Sequence, residues 1–159
     1  MTIELDTTRI GSATAVDVPQ GTVSIGRPGF RVAVAGDAVA QTFPIVVRRE
    51  TLREAQRARS LLRSGTHDQA RFTVALEIEV AIAPSAASAR AAVAEAAPAE
   101  PETIRYVGTT HGLITLLRDV YAAEVADAVI LVPLDGSATE RHIREQVLPH
   151  FADVRHRVA

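Results

Sequence analysis

The run Phe72-Thr73-Val74-Ala75-Leu76-Glu77-Ile78-Glu79-Val80-Ala81-Ile82 places an apolar side chain at every second position. Period two is the signature of a β-strand, whose side chains alternate between two faces. Glu77 and Glu79 share the face opposite the large apolar set. That face is expected to be partly wet, unlike that of an inner strand covered on both sides, with the two carboxylates serving solubility and not acid–base chemistry.

Downstream, Ser85 can cap a helix from Ala86 to about Ala97, which Pro98 ends, and Pro98-Ala99-Glu100-Pro101 reads as a short stiff linker. After Arg105-Tyr106-Val107-Gly108, Thr109 or Thr110 should cap a helix with Leu113, Leu116, Leu117 and Val120 on one face. Ala128 to Val132 is a continuous apolar run suited to a strand buried on both sides. Ser137-Ala138-Thr139-Glu140 is a capping box opening a helix that turns Ile143, Val147, Leu148 and Phe151 toward a core.

Upstream, Ile45 to Val47 is a short strand, and Thr51-Leu52-Arg53-Glu54 is a second capping box. The helix it opens should run to about Ser64, with Leu52, Ala55, Ala58 and Leu62 inward and Arg53, Arg57, Arg59 and Arg63 on the other faces. Arg57 and Arg59 are expected to form a solvated face. Residues 1–42 read as β-rich. Val16 and Val18 lead into the turn Val18-Pro19-Gln20-Gly21, Thr22 to Ile25 returns, Gly26-Arg27-Pro28-Gly29 turns again, and Phe30, Val32 and Val34 alternate with smaller or polar residues. An N-terminal hairpin or meander is the simplest reading. From Phe43 strands and helices alternate, so the expected class is α/β, a single domain over 1–159 with a β-rich segment 1–42 and a β/α part 43–159.

The composition is that of an ordinary globular chain of 159 residues, 47% apolar, with a net charge of −2 that gives no field for gathering nucleic acid or anionic lipid. Without cysteine, a spanning apolar run or a secretion signal, the expectation is a soluble cytoplasmic protein with no membrane partner. All 17 basic residues are Arg.

Three segments in order resemble the C-terminal part of the bacterial luciferase-like, flavin-dependent monooxygenases. They are Leu76 to Ala83 with the Ala-rich helix after it, Tyr106-Val107-Gly108-Thr109, and Ala128-Val129-Ile130-Leu131-Val132-Pro133 with the helix ending Val147-Leu148-Pro149-His150-Phe151. The resemblance covers roughly half the chain. It departs at Thr110-His111, where family members have a Pro and an acidic residue. It implies an incomplete TIM-barrel-like β/α half, because an eight-stranded barrel needs about 200 residues at the least. It also implies a flavin, FMN or a deazaflavin, held by its phosphate near Gly36 in Val32-Ala33-Val34-Ala35-Gly36-Asp37 and near Gly108 and Thr109. A Gly lets backbone amides approach an anion, but Asp37 would repel a phosphate, no helix is expected to follow, and Gly36 as a plain turn residue is the simpler reading. No catalytic side chain carries over.

No independent catalytic motif is present. The chain has no phosphate-binding Gly-Lys-Ser/Thr loop, no dinucleotide Gly pattern and no second Gly for a nucleophile elbow at Gly136-Ser137. His142 and Glu145 lie one helical turn apart, but a metal site needs three or four converging ligands, so no metal is expected, and His142, His150 and His156 are assigned to wet helix faces or the tail. His111 is assigned to the polar first turn of its helix. Two functions remain: a flavin-dependent oxidoreductase or a subunit of one, and a non-catalytic relative that binds flavin, a larger luciferase-like partner or a second copy of itself. Uncovered sheet edges make a homodimer the expected assembly.

Overall fold

The computed structural model describes residues 29–68, 71–96, 98 and 101–152. In chain order the elements are β1 (Arg31–Val34), α1 (Ala38–Gln41), β2 (Ile45–Val47), α2 (Leu52–Ser64), β3 (Val74–Ile82), α3 (Ala86–Val93), β4 (Ile104–Gly108), α4 (Thr110–Ala122), β5 (Ala128–Pro133), α5 (Ser137–His142), a π-helical turn (Ile143–Val147) and α6 (Pro149–Ala152). The class is α/β, as the alternation of periods implies. No helix among the described residues is long and apolar enough to cross a membrane.

All pairings are parallel, and β3 is the centre of the sheet. β5 pairs with residues 75–80 of β3 on one edge, and β1 lies beyond β5. On the other edge β2 pairs with 74–76 and β4 with 78–82, end to end. The order is therefore β1-β5-β3, then β2 and β4. In a β/α barrel each strand lies beside the one before it. Here β3 separates β4 from β5, and β1 and β2 sit at opposite sides of the sheet, which is the pattern of an open sheet.

The proposed turns and strands at 16–28 lie outside the described residues. The strand foreseen at Phe30–Ala35 exists, but its described partner is the parallel β5, and the segment read as β-rich also contains the helix α1. Parallel neighbours need a crossover and not a hairpin.

Val74, Leu76, Ile78, Val80 and Ile82 face a core built with Ala55 of α2, Leu113, Leu117 and Val120 of α4, and Ile143 and Val147. Ala75 faces a smaller cluster with Ala33, Ala128, Ile130, Ala40 and Phe43. The expectation of a wet second face at Glu77 and Glu79 is corrected. β3 is an inner strand, Glu79 is 5% exposed and binds Arg105 at 2.9 Å, and Glu77 binds Arg48 at 3.0 Å. β4 supplies Arg105 and the residue just past β2 is Arg48, so Glu79 is covered and the partly exposed Glu77 is paired.

α2 corrects a second expectation. Its cap is as read, with Thr51 Oγ1 accepting from Glu54 N and donating to Glu54 Oε2 at 3.2 Å each. Its inward face is different: Arg59 and Arg63 are buried, whereas Leu61 is 75% and Leu62 37% exposed. Both arginines reach Asp127, which is wholly buried. The box at Ser137 is also corrected. Gly136, at φ +73°, occupies the cap position of α5, and Asp135 Oδ1 accepts from Thr139 N at 3.2 Å.

Candidate functional site

In an open parallel sheet, ligands sit beyond the carboxyl ends of strands where neighbouring strands send their next helices to opposite faces. β1 and β5 are such neighbours. After β1 the chain places Ala40 of α1 in the smaller cluster, while after β5 it places Ile143 and Val147 in the larger core on the other face. The two following loops each contain a left-handed glycine, Gly36 at φ +91° and Gly136 at φ +73°, and beyond the adjoining residues no atom lies within 4 Å of where a Cβ on either would stand.

Between these loops Arg144 forms a fork. Its Nη1 and Nη2 donate to Asp37 Oδ2 and Oδ1, both at 2.9 Å, and Nη2 also donates to Glu140 Oε1 at 2.8 Å. Paired, coplanar donors suit the planar guanidinium to a carboxylate. The hydrogen bonds from Arg144 hold the Asp37 carboxyl below its ordinary value, with burial opposing, and Asp37 and Glu140 in turn raise Arg144. The fork ties the β1–α1 loop to the C-terminal helical segment.

That segment contains the π turn, in which Leu148 N donates to Ile143 O at 2.9 Å, five residues back. A single wide turn of this kind shifts the side chains after it relative to an unbroken α-helix. Ile143 and Val147 remain fully buried across it, while Arg144 reaches Asp37 and Gln146 Oε1 accepts from Thr110 Oγ1 at 3.2 Å. Thr139, completely buried, donates to Ile82 O at 3.5 Å and accepts from Ile82 N at 3.0 Å, fastening α5 over the end of β3.

Of the positions foreseen as flavin contacts, Gly36 lies in this crevice. A helix does follow it, the four-residue α1, contrary to expectation, and Asp37 is paired with Arg144, which it shares with Glu140. Gly108 and Thr109 lie at the end of β4, three strand spacings or about 14 Å away. Their local roles are internal. The Tyr106 ring lies over Gly108 and Gly112, so that a Cβ on Gly108 would stand 2.6 Å from the phenol oxygen, and Tyr106 donates to Thr109 O at 3.0 Å. Thr109 Oγ1 caps α4 by accepting from Gly112 N at 3.2 Å. The three positions do not converge.

His111 and His150 are exposed, as expected. His142 is half-buried and its Nδ1 is inaccessible with no hydrogen-bond partner among the described residues, which corrects its assignment to a wet face. His156 is outside the described residues. Sequence reasoning missed Arg144, Gln146 and Asp135. Only the i, i+4 spacing of Glu140 and Arg144 signals any of them in one dimension.

No protein-family model matches the chain, and no curated protein matches it.

Proposed function

We propose that this chain acts as a non-catalytic interaction module, a cytoplasmic relative of the luciferase-like enzymes whose business is a protein partner. The observation that carries this reading is the state of the carboxyl edge of the sheet. Arg144 is engaged by Asp37 and Glu140, Asp135 by the Thr139 amide, and Thr109 by the Gly112 amide, and the Tyr106 ring covers Gly108 and Gly112. The polar groups that would greet a ligand there satisfy one another. The partner is a second copy or a larger luciferase-like protein.

The alternative, a flavin-dependent oxidoreductase built on part of a barrel, is favoured by one feature. The open left-handed turn at Gly36 lets backbone amides approach an anion, and Arg144, shared with Glu140, offsets part of the charge of Asp37 beside it. FMN or a deazaflavin would enter there, and the barrel half would need β4 beside β5.

Titration of the purified protein with oxidised FMN and with a deazaflavin, read by flavin fluorescence, separates the two. The interaction reading expects no saturation into the millimolar range. Saturable micromolar binding, lost in Arg144→Ala, would overturn the protein-partner reading in favour of a flavin site, and turnover of the bound flavin would then mark the oxidoreductase.

A further inference from the structure

Leu61 is the most exposed large apolar side chain among the described residues. Its orientation is fixed from inside the protein. Arg59 and Arg63 both point inward to Asp127, two residues before and two after Leu61. At about 100° per residue, a position two residues from each lies nearly opposite both. The buried ion cluster therefore holds Leu61 out on the far side of α2, where rotation of the helix cannot hide it.

Leu61 lines an open depression together with Arg49, Glu50, Glu54, Arg57, Ala58 and Glu102. Both signs of charge occur along one short stretch of helix surface. A uniformly acidic partner would meet its own charge at Glu50, Glu54 and Glu102, and a uniformly basic one at Arg49 and Arg57. A second α2 running antiparallel would not, because Glu54 and Arg57 then face the partner's Arg57 and Glu54 about a twofold axis.

We infer that the outward face of α2 is the docking surface for a second copy of this chain, with reciprocal Glu54–Arg57 pairs setting the register, which lays Leu61 at the Arg49–Glu50 end of the partner's depression. This rests on the interaction-module reading and names its partner. In a twofold contact each substitution acts twice, so single changes have doubled effects.

The test is sedimentation velocity and light scattering of the full chain over a concentration series, with circular dichroism confirming that each variant is folded. The expected results are a wild-type dimer, a dissociation constant weakened by about tenfold or more in Leu61→Glu and in Arg57→Glu, and recovery in the charge-swapped Glu54→Arg/Arg57→Glu protein. A wild-type monomer at every concentration overturns the inference. So does a dimer that Leu61→Glu and Arg57→Glu leave intact. Neither result touches the interaction reading itself, which fails only through the flavin titration.

Discussion

Arg59 and Asp127, 68 residues apart in the chain, meet inside the protein with Nε 3.0 Å and Nη2 2.9 Å from the same carboxylate oxygen. The other oxygen accepts from Arg63 Nη1 at 3.3 Å and from Val74 N at 3.1 Å. One side chain thus joins the middle of α2, the start of β3 and the approach to β5. The Asp127 amide returns a bond to Val74 O at 2.9 Å, so the junction also carries a main-chain clasp.

Removing the carboxylate charge leaves two buried guanidinium groups without it. Asp127→Asn is expected to cost about 3 to 5 kcal/mol, the usual penalty for breaking a buried ion pair from one side. That is a large part of a domain's total stability of about 5 to 15 kcal/mol. Urea unfolding would measure it, and a loss below about 1 kcal/mol would show that the cluster is not the junction described.

Tyr106 and Gly112 form a matched pair whose coupling has a sign. Gly112→Ala alone drives a methyl into the phenol and is expected to destabilise by about 1 to 3 kcal/mol. In a Tyr106→Phe background the phenol oxygen is gone. The helical preference of Ala over Gly, about 1 kcal/mol, then works in favour of the substitution. The double-mutant cycle should show Gly112→Ala changing from destabilising toward neutral or stabilising; strict additivity would contradict the contact.

The Asp37–Arg144 fork predicts a pH dependence. The folded Asp37 carboxyl is held below its ordinary value of 3.8 by the Arg144 hydrogen bonds. Its contribution is therefore complete above 3.8 and is lost as the pH falls through the lowered folded value. Both groups are more than a third exposed, so the contribution is about 0.2 to 1 kcal/mol. Asp37→Asn should lower stability by that amount at neutral pH, and the gap from wild type should close in acid. A gap that persists unchanged as the pH falls through the lowered folded value would point to packing instead.

β2, β3, β5 and most helix starts were legible because their causes are local, whereas the short, half-buried β4 was not read as a strand. Alternation marks β3, a continuous apolar run marks β5, and Thr51, Ser85 and Thr109 each cap the helix expected of them. The candidate crevice was only partly legible. Gly36 stands out in sequence, but Gly136 joins it only because β1 and β5 are neighbours, and Arg144 reaches Asp37 across 107 residues.

α2 shows the division most clearly. The sequence by itself determined that a helix starts at Thr51, because a hydroxyl and a carboxylate three residues apart satisfy its first amides. Which way that helix faces was decided only by tertiary structure. Asp127, brought alongside by the pairing of β5 with β3, draws Arg59 and Arg63 inward and leaves Leu61 in water. Hydrophobic period alone ranks leucine above arginine for burial. A buried carboxylate reverses that ranking, and no local pattern records where it will be.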